Sequence, residues 1–316
     1  MAKLAIAAGR DAASLGKRLQ GLGRALAYPG VMAGALAVYA ALASLGVPAA
    51  GAGYAAAAAG AGAVVILERW IPYRRSWRPT RRELATDVVY LAAVQTALPV
   101  ALGLTLAAAA ARAFDAAGVG ATSLWPHAWP VAAQAALLLL TADLLRYGLH
   151  VAAHRVEPFW RLHAVHHSSR KLYALNVGRF HPVERTFLYA LATLPFVLLG
   201  VGSEVLAPYF VFYAVNGFFQ HSNVDVRLGP LNYLVSGPEL HRWHHSRRAE
   251  ESNRNYGVNL IVWDLVFGTY FLPRDRRPEQ LGLTNPFYPS GFLGQLAAPL
   301  FRGFDRQLHS LPRRAA

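Results

Sequence analysis

The sequence predicts an all-α integral membrane protein: four membrane-spanning helices, a broken fifth apolar stretch and a cytoplasmic helical cap. Three observations predict this fold class. Hydrophobic residues make up 54% of the 316 residues and charged residues only 15%, whereas soluble domains carry about 25% charged residues. Four apolar runs approach the roughly 20 residues that a helix needs to cross the hydrocarbon. Histidines and turn residues concentrate after these runs.

The membrane part follows from the order of these runs. Residues 1–27 place leucines on one helical stripe among basic residues, which favours an amphipathic helix on the membrane surface, with a frayed terminus as the alternative. Membrane hairpins are expected over 28–134. The second run is rich in alanine and glycine, so we expect it to pack closely against a neighbouring helix. The four apolar runs are 28–47, 50–67, 88–111 and 129–149.

The fifth apolar stretch, residues 187–219, is too short for two full crossings at about 1.5 Å per residue. Proline, glycine and one acidic residue interrupt it at 195, 200, 202, 204 and 208. We predict a hairpin that enters the membrane and returns, and one tilted span is the alternative. Residues from 222 onward are less apolar and predict short helices of a cap, with 276–316 as a C-terminal tail.

The arginines predict the orientation. The segment 69–82 holds six arginines and no acidic residue, whereas the connection 112–130 holds only Arg112 and Asp115. The positive-inside rule therefore places 69–82 in the cytoplasm, together with the region after residue 150. The net charge of +14 fits an anionic membrane surface. The sequence has no recognisable nucleic-acid motif, so we expect no nucleic-acid partner.

Eight of the twelve histidines fall into three clusters with helical spacing. Residues three and four apart share a helix face, so each cluster directs two or three rings the same way. Neutral imidazole binds iron, zinc and copper, and crowded rings would repel one another if they were protonated. Eight ligands exceed the needs of one ion, so the pattern predicts two metal ions. The clustered residues are His150, His154, His163, His166, His167, His241, His244 and His245.

Isolated residues complete the candidate set. His181 and His221 are weaker candidate ligands because each stands alone beside a helix boundary. Asp143 lies seven residues before His150, two turns along one face, and is a candidate partner for a ligand's second nitrogen; an ion-pair role with Arg146 is the alternative. Glu184 and Asp264 are weaker candidates for the same role. His127 and His309 are excluded by their positions.

Two kinds of chemistry and one transport function fit a histidine-rich site beside a membrane. Iron could activate dioxygen and attack an unactivated C–H bond of a lipid. Zinc hydrolysis is less favoured because it usually uses three protein ligands and often a glutamate base, and no H-E-x-x-H pattern occurs. A metal transporter or sensor is less favoured, because transporters place ionisable residues inside their spans and these spans are nearly free of them. The chain has no cysteine, which excludes thiolate ligands.

The histidine motifs resemble those of the fatty acid hydroxylase / sterol desaturase superfamily. The resemblance covers residues 135–275, which it identifies as the catalytic domain. The "HHSS" after the second box, followed by Asn176, is closer to the branch that resembles alkylglycerol monooxygenase. One departure is Gly217, where some members have a further histidine. The motifs are "HVAAH", "HAVHH", "HRWHH", "FHPVE", "QHSNV" and "NYGVNLIVWDLVFGTYF".

The resemblance implies a membrane-bound non-haem di-iron enzyme that uses O2 to hydroxylate an alkyl group of a lipid: a fatty acyl, alkylglycerol or sterol-like chain. A desaturase using the same site is the alternative, and zinc could replace iron in a purified sample. No haem-binding or dinucleotide-binding motif is visible. Electrons are therefore expected from a b-type cytochrome, a ferredoxin or a reduced pterin.

Five arginines near the histidine boxes are candidates for holding a phosphate headgroup, although general attraction to anionic lipid is the favoured explanation for them. They are Arg161, Arg170, Arg179, Arg242 and Arg247.

Overall fold

The structure, a computed structural model, describes residues 2–116 and 125–301. These ranges contain helices and isolated β-bridges but no β-strand, which confirms the all-α prediction. A π-helical turn, Tyr90–Ala97, joins α3 to α4. The helices are α1 (Ala2–Ser44), α2 (Ala49–Trp70), α3 (Arg81–Val89), α4 (Leu98–Ala116), α5 (Val131–Arg155), α6 (Glu157–His167), α7 (Pro182–Ala192), α8 (Leu194–Leu198), α9 (Ser203–His221), α10 (Pro238–His244), α11 (Ala249–Ser252), α12 (Val262–Val266) and α13 (Phe292–Ala297).

Four helical segments are long and apolar enough to cross a membrane, as the sequence predicts: Gly21–Ser44, Ala49–Trp70, Arg81–Leu106 and Val131–Arg155. Their outer surfaces expose large apolar side chains, which suits contact with lipid rather than water. Helix α1 runs without a break from Ala2 to Ser44. The predicted surface helix over residues 1–27 is therefore continuous with the first span.

Helix α2 packs against α1 and α9. A side chain at Gly60 would place its Cβ only 2.5 Å from Cγ2 of Val215 in α9 and 3.3 Å from Cβ of Ala35 in α1. The backbones can approach this closely only because the residue at the contact is small. The expectation of close packing in the second apolar run is confirmed.

The broken fifth stretch forms α7, α8 and α9, with the turn between α8 and α9 at residues 199–202. Gly200 in this turn has φ of +75°, a left-handed conformation that glycine adopts without strain. Glu184, near the start of α7, contacts His163, and His221, at the end of α9, contacts His241. The segment therefore leaves the histidine cluster and returns to it.

The arginine-rich connection between α2 and α3 lies against the cap. The backbone N–H of Arg74 donates to Oδ1 of Asn223, and its guanidinium donates to the carbonyl of Pro278 at 2.9 Å. The backbone N–H of Tyr73 donates to the carbonyl of Asn223. The six-arginine segment and the cap thus share one end of the helix bundle.

The loop between α6 and α7 is held against the π-helical turn. A Cβ at Gly178 would lie 2.9 Å from the backbone nitrogen of Leu91. Buried Asp87 accepts hydrogen bonds from the hydroxyl of Tyr173 and the guanidinium of Arg179. These contacts fix the loop that carries Asn176, which contacts His221.

Candidate metal centre

Nine histidine rings from α5, α6, α9 and α10, with the residue that follows α10, converge in two adjacent groups. Within each group, one nitrogen of every ring lies within 4.8 Å of the others. All nine are buried except His150, which is partly buried. The first group contains His150, His154, His163, His167 and His244, and the second contains His166, His221, His241 and His245.

Helical spacing explains how the sequence fills both groups. His163 and His167 lie four residues apart on one face of α6 and join the first group, whereas His166 joins the second. In the last box the division is the same: His244 joins the first group, and His241 and His245 join the second. Residues four apart share a face and adjacent residues do not, so each H-H pair contributes one ring to each group.

The second ring nitrogen of six histidines contacts a hydrogen-bond acceptor. Nδ1 of His150 lies 2.7 Å from the carbonyl oxygen of Tyr256, and Nδ1 of His163 lies 2.6 Å from Oε1 of Glu184. An oxygen that can only accept assigns the proton to Nδ1 and leaves a lone pair on Nε2 of the neutral ring. The other four contacts are His154–Asn253, His166–Arg179 carbonyl, His221–Asn176 and His244–Arg254 carbonyl.

The unprotonated nitrogens face one another. Nε2 of His150 lies 3.1 Å from Nε2 of His163, although both rings carry their proton on Nδ1. Two lone pairs at that distance repel unless a cation lies between them. Nε2 of His154 is buried without a hydrogen-bond partner in the described residues. The residues present therefore fit a metal centre, and the donor set is entirely imidazole, which suits iron, zinc and copper.

Burial favours the neutral form of five of the rings. In α6 and α10, outside the spans, burial lowers the pKa of the five rings well below 6.5, and neighbouring rings lower it further. A neutral imidazole is the form that binds metal. The five residues are His166, His167, His241, His244 and His245.

His181 lies outside both groups. It is the N-cap of α7, where its Nδ1 accepts a hydrogen bond from the backbone N–H of Val183. Its Nε2 contacts the carbonyl oxygen of Leu296 at 3.2 Å. Both ring nitrogens are thus engaged in protein hydrogen bonds. His221, the other isolated candidate, lies in the second group.

The three candidate carboxylates have different positions. Glu184 contacts His163 directly. Asp264 accepts from the backbone N–H groups of Tyr256 and Gly257 and so holds the chain whose carbonyl contacts His150. Among the described residues Asp143 contacts no histidine: it accepts from Asn259 and from the backbone N–H of Leu260. It fixes the loop after residue 255, because its side chain is buried against that backbone rather than directed along α5.

An apolar cavity of about 710 Å³ opens beside the histidines. Its walls come from α2, the π-helical turn, α5, α6, α7 and α9, and His150, His163, His166, His221 and His241 line one end. The sequence analysis did not find this cavity, because its wall residues are ordinary apolar members of separate spans. It also did not identify Arg146 and Arg185 as cavity residues.

Two of the arginines suggested for headgroup binding have structural contacts instead. Arg179 pairs with Asp87. Arg242 is buried and donates to the carbonyls of Ser222 and Val224. The sequence analysis also missed the backbone carbonyls that contact the clustered histidines, since a carbonyl has no sequence signal of its own.

Known proteins match the chain in sequence. A profile of the fatty acid hydroxylase family matches residues 135–269. The ornithine lipid hydroxylase OlsE of Rhizobium tropici is 36% identical over 241 residues, covering 76% of this chain and 72% of that protein. Human alkylglycerol monooxygenase is 32% identical over 46% of this chain and 32% of its own length. Methylsterol monooxygenase 1 of Rattus norvegicus is 28% identical over 40% of this chain and 43% of its own length.

No solved structure matches the chain. The chain spans most of the bacterial relative but only about a third of the alkylglycerol monooxygenases. The resemblance in the histidine motifs agrees with these matches. On the identity to the bacterial hydroxylase over most of both chains, together with the profile match across all three histidine boxes, the protein belongs to the fatty acid hydroxylase family.

Proposed function

We propose that the protein hydroxylates an alkyl group of a membrane lipid with O2 at a histidine-ligated di-iron centre. One observation carries the proposal: nine imidazoles converge in two groups, and five of them line a large apolar cavity, in a chain with four helices that are long and apolar enough to cross a membrane. The relatives hydroxylate lipids, by their names. The metal centre and the apolar cavity suit oxidation of a hydrocarbon group better than hydrolysis.

The five-ring group and the four-ring group would each hold one iron ion. His181 is left out of the proposed ligand set because its two nitrogens have other partners. When bound, iron supplies the activation of O2 and the oxidation of the C–H bond. The protein's part is to orient the rings: Glu184 and the carbonyls of Tyr256, Arg179 and Arg254 hold the Nδ1 protons, as partners of metal-bound imidazole usually do.

The lipid chain enters the cavity from the bilayer. The volume of the cavity lies within the roughly 300–1,000 Å³ that is typical of ligand pockets. Helix α2 of the membrane part supplies one wall of the cavity. We take residues 135–275 as the catalytic domain and residues 28–134 as the membrane part that completes the cavity. The hairpin of α7 to α9 would dip into the membrane from the cytoplasmic side.

The arginine distribution supports a cytoplasmic active site, and an external protein or a reduced pterin would supply electrons.

Isotope labelling tests the reaction. Purified iron-loaded protein in lipid nanodiscs would be given a chemical reductant, a bacterial lipid extract and ¹⁸O2, and the lipids analysed by mass spectrometry.

We expect a lipid product that gains one ¹⁸O atom, and no such product from a His163→Ala variant. Formation of an alkene that carries no ¹⁸O would show that the reaction is desaturation rather than hydroxylation. Absence of any oxidised lipid from protein that retains its iron and consumes no O2 would refute the proposal.

A further inference from the structure

Two arginines line the mostly apolar cavity beside the histidines. Arg146 lies one helical turn before His150 in α5, and Arg185 follows Glu184 in α7. Both approach the ring of Tyr213 in α9, with guanidinium carbons 5.0 Å and 6.0 Å from its centroid. A cationic group facing an apolar cavity is costly unless it has a partner.

The hydrogen bonds of Arg185 are incomplete. One of its terminal nitrogens donates to the hydroxyl of Tyr213 at 3.0 Å. Its Nε is buried and has no partner in the described residues. A guanidinium offers five N–H groups in a planar fork that matches a carboxylate or a phosphate. Arg185 therefore has unused donors in the cavity wall.

Arg146 is better satisfied. It donates to the hydroxyls of Tyr209 and Thr193 at 2.8 Å and 3.0 Å, and Asp143 lies one turn away on the same helix. Neither arginine forms an ion pair with a carboxylate in the described residues.

The charges around the cavity favour an anion. Its formally charged residues are the two arginines and Glu184. The carboxylate of Glu184 already accepts from His163, and bound metal ions would add positive charge at the same end. An anion brought into the cavity would be attracted by several cations in a low-dielectric environment.

We propose that Arg185, assisted by Arg146 and Tyr213, binds an acidic group of the lipid, a carboxylate or a phosphate, inside the cavity. The inference rests on the proposed function in taking the cavity as the lipid site. Arg185 would select lipids that carry an acidic group and would fix their position along the cavity relative to the metals. It is a specificity-determining residue.

Binding measured without turnover tests this inference. Iron-loaded protein in detergent would be titrated, without reductant, with three probes that share an oleoyl chain: an N-oleoyl amino acid, lysophosphatidic acid and monooleoylglycerol. The variants are Arg185→Gln and Arg185→Lys. Arg227→Gln is the matched control, since Arg227 lies on the cap surface outside the cavity. Isothermal calorimetry gives Kd, and elemental analysis gives metal content.

We expect the wild type and the control to bind at least one acidic probe about tenfold or more tighter than the neutral probe, the effect of a charge-assisted hydrogen bond. Arg185→Gln should lose that preference and keep its affinity for monooleoylglycerol, and Arg185→Lys should keep part of it. The probe preferred identifies carboxylate or phosphate as the acidic group.

No preference in the wild type, or the same preference in Arg185→Gln, would overturn the inference. If Arg185→Gln fails to retain metal, Arg185→Lys is used to test the inference instead. A preference for the acidic probe as large as that of the wild type would then overturn a role for the guanidinium fork. Since no turnover is involved, a protein that shows the preference but oxidises no lipid would refute only the hydroxylase function.

Discussion

The contact between Glu184 and His163 shows how a single side chain can orient an imidazole for metal binding. Its carboxylate fixes the proton of His163 on Nδ1 and turns the lone pair of Nε2 toward the other rings. Partners of this kind raise the basicity of the imidazole and hold its orientation, and their loss usually costs about 10–100-fold in metal affinity.

We therefore expect Glu184→Ala to lower the metal affinity of the five-ring group by about 10–100-fold. Glu184→Gln should lose less, because its amide oxygen still accepts from His163 although the negative charge is gone. Metal retained during competition with a chelator, measured by elemental analysis, gives the comparison. Glu250→Gln, an exposed position on the cap, serves as the control. Retention by Glu184→Ala equal to that of the wild type would contradict this role.

Changing His181, unlike changing Glu184, should not affect metal binding. Asparagine is a good N-cap residue, so His181→Asn should keep the start of α7 and leave the metal content unchanged. His163→Asn, which removes a proposed ligand, should bind less metal. The measurement is metal per protein after purification and dialysis. A loss of metal in His181→Asn equal to that in His163→Asn would show that His181 is a ligand.

At the scale of elements, helical spacing made the convergence of most of the histidine rings predictable. The i, i+4 pairs and the H-H pairs of α6 and α10 follow from one helical period, so eight of the nine converging rings could be named from three clusters. His221 was harder because it comes from the end of α9, where a single histidine has no spacing to interpret. His181 is also an isolated histidine, but it caps the start of α7. The neighbouring Pro182 is typical of a helix start, yet it does not show whether the ring caps the helix or binds metal.

Other features depend on contacts between elements far apart in the chain. Asp143 accepts hydrogen bonds from residues 116 and 117 positions later, so its role could not be inferred from its distance to His150. Arg146 was considered only as an ion-pair partner of Asp143, because the sequence did not reveal that α7 and α9 fold back beside it. Helix α1 is continuous from Ala2 to Ser44 although Gly21, Gly23 and Pro29 lie along it, so these residues do not mark a helix boundary as they often do elsewhere.

The packing between the π-helical turn and the loop before α7 should be sensitive to one methyl group. In Gly178→Ala, the new Cβ would lie 2.9 Å from the backbone nitrogen of Leu91, so one of the two segments must move. We expect a loss of about 1–3 kcal/mol in the free energy of unfolding, typical of overpacking, measured by thermal unfolding in detergent.

The matched control is Gly34→Ala in α1, where a Cβ would meet no atom within 4 Å. That change should leave stability unchanged or raise it by up to about 1 kcal/mol, because alanine favours helix more than glycine does. Equal thermal stability of Gly178→Ala and the wild type would show that the loop has more room than the contact indicates.

For the whole molecule, charge and topology together predict on which side of the membrane the histidine groups lie. The arginine-rich connection contacts the cap, so both lie at one end of the bundle. The positive-inside rule assigns that end to the cytoplasm. We therefore predict that four spans carry the chain from a cytoplasmic N-terminus to a cytoplasmic cap, with the connection between α4 and α5 outside.

Because the chain has no cysteine, single-cysteine variants can test this orientation without background labelling. Ser76 in the arginine-rich connection and His127 before α5 are both exposed. In intact cells, a membrane-impermeant maleimide should label His127→Cys and not Ser76→Cys, and permeabilised cells should show both labelled. The comparison before and after permeabilisation controls for reactivity of the thiols. The reverse pattern in intact cells would place the histidine cap outside the cytoplasm, and a cytoplasmic electron donor could then not reach the metal centre directly.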